Sequence, residues 1–408
     1  MSDTTSRPRL PAAYWRLWWA AAINNIGDGA FTAAVPLLAV TITRDARLIS
    51  IVSAAAYLPW LLLSLPAGAV IDRHDRVALM WRSQAVQAIV VAVVAVLATL
   101  GRVGIPDLAV MAFGLGACEV VFSNASQAIL PDIVPAALLN KAKSNQYTIT
   151  TIGRLFFGPP LGSLLFAVTV ALPFGVDAGS FALSAVLLAN LPRRPHKHAA
   201  RPPVRTAMAE GLCWLTAHRL LRTLALLLGV NTFCFQLGNV TLVLLATQTL
   251  HLSARDYGLL LAGAAVGSVL GGLLSTRIVT HTGELPALLA ALAANVIIFA
   301  GIGMSPDAVV LGGLLALNGF VTTVWNIVTV SLRQRIVPAE LPGRVNSVYR
   351  MLGWGLIPLG ALTGGFLAHQ FGLRSAYPIA GALRGTALAF ALPVLVAAAR
   401  PASATPGK

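Results

Sequence analysis

The stretch DIVPAALLNKAKS, Asp132–Ser144, returns 203 residues later as RIVPAELPGRVNS, Arg335–Ser347. At the same offset Gly68 falls on Gly271, Gly116 on Gly319 and Gly162 on Gly365. The offset is about half of the 408-residue chain. A parallel duplication on this scale is one of the arrangements found in membrane proteins built as two halves around a central path.

Composition agrees with a membrane location. Hydrophobic residues make up 57% of the chain, charged residues 11%, and the mean hydropathy is +0.78. A soluble domain carries about 25% charged residues. A spanning helix needs about 20 mostly apolar residues, so the chain has room for about twelve and for no large soluble domain. We read spans at 14–41, 48–71, 77–100, 106–130, 143–170 and 173–191. A Pro- and Arg-rich stretch, LPRRPHKHAARPPVR (191–205), leads into an amphipathic piece at 206–219. Six more spans follow at 221–250, 255–278, 285–304, 307–332, 343–370 and 374–398. The first apolar run is too long for the core of a cleavable leader, so none is expected.

The expected fold is therefore an all-α membrane protein of twelve transmembrane helices in two pseudo-symmetric six-helix bundles. Residues 1–191 form the N-terminal bundle, 192–220 a cytoplasmic linker, 221–398 the C-terminal bundle and 399–408 a cytoplasmic tail. The net charge of +15 does not signal nucleic acid, because the basic residues sit in short gaps and not on one patch. They set orientation instead. With the N-terminus inside, 22 of the 29 Lys and Arg side chains fall on the cytoplasmic side and five outside. The remaining two, Arg154 and Arg384, lie within helices. Cys118, Cys213 and Cys234 have neither zinc nor disulfide spacing. No metal constellation, nucleophile–base pair or phosphate loop is visible, so neither a cofactor nor an enzyme is expected.

Ionisable groups inside a bilayer are costly, so each is a functional candidate. Helix 1 holds NNIGDGAF (24–31) with Asp28, helix 4 holds GACEVVFSNASQ with Glu119, and helix 5 holds TIGRLFFGPPLG with Arg154. At 1.5 Å per residue all three lie about 17–21 Å from a membrane face, near the midplane. Two acids and one base at one depth predict a compact cluster in which Arg154 pairs with one carboxylate at a time. The other is then free for a proton or a cationic substrate. Asp177, near the outer end of helix 6, reads as a cap or an interfacial hydrogen-bonding group. Arg384, deep in helix 12, has no acid near it in the sequence and receives no role.

The second half supplies amides: Asn231, Gln236, Asn239, Asn318 and Asn326. With Asn24 and the aromatic Phe31 and Trp325, the set Asn231, Gln236, Asn239 and Asn326 forms the candidate substrate cavity. Such amides equally hydrogen-bond between helices. Tyr57 and Trp60 read as part of the same aromatic wall, or as plain packing. Gly158, Pro159 and Gly162 lie in a Pro-kinked, closely packed part of helix 5.

GAVIDRHDR, Gly68–Arg76, crowds four charges of alternating sign into five residues. Orientation needs only basic residues, so the acids point to specific partners. Asp72 is expected at the N-terminus of helix 11, near Pro342 and Gly343, where the helix dipole attracts a carboxylate. Arg73 and Arg76 are expected on acids such as Asp132. The stretch resembles the G-x-x-x-D-R-x-x-R signature between helices 2 and 3 of the major facilitator superfamily, matching at Gly68, Asp72, Arg73 and Arg76. Asp75 stands where that family usually has Gly. GRLFFGPPLG is similar to the helix 5 signature of proton-coupled exporters. Gly158, Pro159 and Gly162 match, and Ser163 replaces the closing glycine. NNIGDG, LPDIVP and DAGSFALSA resemble the branch that holds macrolide and siderophore exporters.

The resemblance implies the major facilitator fold, an inner (plasma) membrane location and alternating access. It implies proton-driven export of a small amphipathic molecule, drug- or siderophore-like, by a monomer. In that reading Asp28, Glu119 and Arg154 couple protons to substrate, and Gly68, Asp72, Arg73, Arg76, Gly158, Pro159 and Gly162 serve gating. A proton-coupled importer of a small nutrient or metabolite would share the fold and is the alternative.

Overall fold

In the computed structural model, residues 10–192, 204–338 and 341–399 are described. The side chains of 64–73, 155, 204–209, 342–344, 347, 350 and 399 are outside that set. Residues 400–408 of the expected tail, residues 193–203 of the expected linker, and the side chains of Asp72 and Arg73 together with the surroundings of Gly68 thus lie outside the described residues.

Among the described residues twelve helices are long and apolar enough to cross a membrane, and no strand is present. They are α1 (Ala12–Ile42), α2 (Ala46–Arg73), α3 (Arg76–Thr99), α4 (Ile105–Ile133), α5 (Ala136–Val168), α6 (Leu172–Ala189), α7 (Arg219–Thr249), α8 (Ala254–Thr282), α9 (Glu284–Met304), α10 (Ala308–Ile336), α11 (Pro342–Gly355 continued by Ile357–Phe371) and α12 (Ala376–Ala399). The expected all-α fold is confirmed. Helices win here because in lipid every backbone polar group must be satisfied within the segment. The amphipathic piece expected at 206–219 is a helix over Val204–Ala217.

Helix ends are set by short polar side chains. The Asp75 carboxylate accepts from the Val77 N–H at 3.0 Å and starts α3. This explains an acid where the resembled family has glycine: it caps the helix that follows. Ser253 and Asp256 form a reciprocal capping box on α8, and Asp307 accepts from the Val310 N–H at 2.9 Å on α10.

The helices group into two compact units, residues 1–42 with 62–200, and residues 43–61 with 201–408. In the first unit α1 lies against α5 and α6, and α3 against α4 and α6. Small residues permit the closest approach. A Cβ on Gly162 would strike the Ala30 carbonyl, and one on Gly29 would lie 2.7 Å from the Gly158 Cα. In the second unit Gly360 and Gly364 of α11 press in the same way on the α7 backbone at Phe233 and Leu237. The pairing of α1 with α5 is thus repeated as α7 with α11, as the sequence repeat requires.

The first part of α2 belongs with the second unit. Ala54 packs with Val240 and Ala361, the Gln236 amide donates to the Ser53 hydroxyl at 2.7 Å, and Trp60 stacks on Trp354 at 4.7 Å. Asp45, just before α2, accepts from the Arg47 N–H and guanidinium and lies 3.5 Å from His369. Those Arg47 hydrogen bonds hold its carboxyl below the usual carboxylate range. Its contribution to stability is therefore present at neutral pH and lost only as pH falls through that lowered value.

Two helices carry backbone irregularities at matching places in the repeat. α5 widens to a π turn over Ile152–Phe157, and α11 breaks between Gly355 and Ile357. Shifted by the 203-residue offset, the π turn lands on that break. Both irregularities are followed by proline, which removes a backbone donor.

Candidate functional site: a buried charge cluster in the first unit

The close approach of α1 and α5 fixes the site. Gly153 and Gly158, on either side of Arg154, face Asn25, Ile26 and Gly29 of α1, so the two backbones approach closely there. Arg154 rides on the π turn, a backbone form often found at functional sites. Its guanidinium lies 3.7 Å from the Glu119 carboxylate of α4, with the two side chains 32% and 18% exposed. Asp28 of α1 accepts from the Asn24 amide at 3.2 Å and has Arg154 as its charged neighbour. Asp28 is in turn a charged neighbour of Glu119. The structure thus gathers Asp28, Glu119 and Arg154 into one group, with the guanidinium currently on Glu119.

With Asp177 counted, carboxyl groups outnumber the guanidinium in this group, three to one among the described residues. Buried oxygens of Asn24 (Oδ1), Glu119 (Oε2) and Asp177 (Oδ2) have no hydrogen-bond partner. Orphaned acceptors in a dry site are costly, about 1–3 kcal/mol each for neutral groups and more for charged ones. The arrangement therefore suits protons or a cation arriving at the carboxyls.

Asp177 is where the sequence reading needs correction. It does not cap or sit at an interface but is fully buried, with Asp28 and Arg154 as its charged neighbours. The signal that could have found it is Gly27, whose missing side chain leaves room for Asp177 and Ser180 against α1. Phe31, three residues beyond Asp28, meets Phe174 of α6 edge-on at 5.9 Å.

The amides and aromatics of the second unit are more dispersed than the cavity reading expected. Gln236 is engaged with Ser53, Trp325 is only 3% exposed, and Asn239 and Asn326 are exposed. Trp354 was missed: Trp60 stacks on it and Tyr57 lies 6.1 Å from it, so α11 closes an aromatic group with α2. Asn231 gives its backbone carbonyl to Arg384 at 3.0 Å. Arg384 faces protein. It donates to the Asn295 side chain at 3.2 Å and lies 3.7 Å over the Phe299 ring, all neutral partners.

At the far end of α3, Arg76 bridges to α4, bonding the Asp132 carboxylate at 2.6 Å and the Ala128 carbonyl at 2.8 Å. Asp132 is the acid that the sequence reading had named. Arg76→Ala is expected to cost about 1–2 kcal/mol, since charge-assisted bonds to a half-buried guanidinium are lost. A thermal midpoint of the purified protein equal to wild type would contradict this.

A family model of transmembrane secretion effectors, of major facilitator type, matches residues 5–405. The chain belongs to that family. The multidrug efflux pump Tap of Mycolicibacterium fortuitum is 27% identical over 97% of this chain and 95% of its own length. Macrolide efflux protein A of Streptococcus pyogenes is 20% identical over 91% and 93%. Among solved structures, a bacterial homologue of the iron transporter ferroportin in an inward-facing state superposes with TM-score 0.75 at 17% identity, over 96% of this chain and 99% of that one. The nucleoside transporter NupG superposes at 0.73 with 13% identity, over 95% and 99%. At such identities the structures establish the fold alone. This major facilitator chain is a multi-pass membrane transporter of small molecules and not an enzyme, in line with its family and its relatives.

Proposed function

We propose that this transporter exports a small amphipathic molecule in exchange for protons, by alternating access. The observation that carries the reading is the excess of carboxylate over guanidinium in a buried group. Arg154 lies 3.7 Å from Glu119, while the Asp28 carboxylate accepts from the Asn24 amide and has Arg154 as a charged neighbour. A shift of Arg154 toward Asp28 would release one carboxyl and engage the other, which links proton binding to helix movement. The π turn beneath Arg154 supports such a shift. Annealing one extra residue in a helix turns side chains by about 100°, given 3.6 residues per turn.

Efflux as the direction, and an amphipathic cargo, draw support from the names of the relatives Tap and macrolide efflux protein A. The orientation with both termini cytoplasmic is supported by the 22-to-5 division of basic residues, and the plasma membrane is the location that the family resemblance implies. In that orientation Arg76 with Asp132 sits at the cytoplasmic ends of α3 and α4, and with Gly68, Asp72 and Arg73 serves as the inner gate. Gly158, Pro159 and Gly162 give α5 its bend. Asn24, Phe31, Asn231, Gln236, Asn239, Trp325 and Asn326 remain the proposed contacts for cargo.

The test is Asp28→Asn in proteoliposomes with an imposed pH gradient. Proton-driven efflux of a macrolide probe is expected to fall to the leak rate. Undiminished gradient-driven transport would remove Asp28 from the mechanism. The direction of net movement in the same vesicles separates an exporter from a proton-coupled importer.

A further inference from the structure

Asp177 of α6 has no place in the mechanism above, yet its surroundings are those of a proton carrier. Its side chain is fully buried. Oδ2 has no partner, and Oδ1 has only the Ser180 hydroxyl at 3.3 Å. That hydroxyl has a single proton and lies closer, at 2.8 Å, to the Asp177 backbone carbonyl. An ionised Asp177 would therefore hold its charge without a committed donor, in a site with no water-facing surface. A neutral carboxyl avoids that penalty.

The position also connects it to the cluster. Gly27 leaves a gap in α1 that the Asp177 carboxyl and the Ser180 hydroxyl fill, one residue from Asp28. Among the described residues, α6 itself offers no other ionisable group, α1 offers Tyr14, Arg16 and Asp28, α3 offers Arg76 and Arg82, and α5 offers Lys141, Lys143, Tyr147 and Arg154. Tyr14 donates to the Ala142 carbonyl at 3.2 Å. Arg16 is engaged at the Asn190 carbonyl, Arg76 at Asp132, and Arg82 over Trp81. Besides its burial and the Ser180 hydroxyl, the charges whose fields reach Asp177 are those of Asp28 and Arg154. Arg154 is thus the shared charged neighbour of Asp28, Glu119 and Asp177.

We propose that Asp177 carries a second exchangeable proton, so that each transport cycle exchanges two protons and not one. One guanidinium can neutralise one carboxylate. With three carboxyls around it, two protons balance the buried group. Open to the outside, the two carboxyls not paired with Arg154 each take a proton from the outer water; open to the cytoplasm, both give that proton to the inner water as the cargo binds, so that two O–H bonds form and two break in each cycle. The bonds made and broken are O–H bonds of carboxyl groups, with the protons supplied and removed by water. The inference rests on proton antiport by the same cluster and adds its stoichiometry.

The full chain is purified, reconstituted and read in two ways. Infrared difference spectra between neutral and alkaline pH count titrating carboxyl groups. The coupling ratio is found from the membrane potential that just cancels a fixed pH gradient, with erythromycin as the probe. Asp177→Asn is expected to remove one titrating carboxyl band and lower the ratio by one proton per probe molecule, with efflux retained. Asp177→Glu is expected to keep both. An unchanged ratio and unchanged bands in Asp177→Asn would overturn the proposal. If Asp177→Asn does not fold, Asp177→Glu decides, since its protonated band should shift relative to wild type and still titrate. A shifted band that never titrates makes Asp177 a static acid and rejects the idea. Loss of coupling in Asp28→Asn with an unaltered ratio in Asp177→Asn would sink this inference alone. Retained coupling in Asp28→Asn would sink the antiport reading itself.

Discussion

Arg154→Gln is expected to slow proton-driven transport by about 30-fold while leaving the protein folded. The guanidinium is the charged neighbour that Asp28, Glu119 and Asp177 have in common. Removing one member of a buried ion pair costs about 3–5 kcal/mol when both members are dry. Arg154 and Glu119 are 32% and 18% exposed, so solvent screens part of that, and about 2 kcal/mol is the appropriate figure. Each 1.4 kcal/mol is a factor of ten. Arg154→Lys keeps the charge but loses the planar fork that lets one side chain hand over between carboxylates, so it should fall between. The measurement is gradient-driven efflux in vesicles of matched protein content. A glutamine variant within twofold of wild type would show that the cluster needs no cation. The double variant Glu119→Gln with Arg154→Gln separates folding from coupling, because it leaves no orphaned charge at that pair.

The second large effect is on packing. Gly162→Val is expected to destabilise the purified protein by about 3 kcal/mol, the upper part of the usual overpacking range. The new Cβ would land on the Ala30 carbonyl, which is backbone and cannot rotate away. Relief would require α5 to back off α1, opening the Gly29–Gly158 approach that sets Arg154 beside Asp28. Loss of thermal stability and loss of transport should therefore appear together. Gly162→Ala should show the same change in smaller measure. Gly114→Ala is the control, since nothing lies within 4 Å of a side chain there. An unshifted melting midpoint for Gly162→Val would mean that α1 and α5 are not in contact in the membrane.

How far the site could be read in the sequence follows from what each residue needed. Asp28, Glu119 and Arg154 were legible because charge inside an apolar run is rare, and because counting residues from each helix end puts the three at one depth. Arg76 with Asp132 was legible because the alternating charges demanded partners and LPDIVP supplied an acid. Asp177 was misread, because depth counted along one helix says nothing of the neighbour that covers it. Its burial comes from a glycine in another helix, 150 residues away. Trp354 was overlooked because nothing local separates a packing tryptophan from one that completes a group begun on α2.

Hydrophobic run length, the position of basic residues and the internal repeat determined, from the sequence alone, that the chain spans the membrane twelve times in two related halves. Lipid admits only helices or closed barrels, and apolar runs of about 20 residues select helix, so the count and the approximate boundaries follow from local composition. Which faces meet was decided only by the tertiary structure. Helices apolar on every side carry no periodic mark of their partner, and contact is set by where glycines let two backbones close. That is why the third carboxyl, the guanidinium 3.7 Å from Glu119 with a field that reaches Asp28 and Asp177, and the attachment of early α2 to the second unit became visible only in three dimensions.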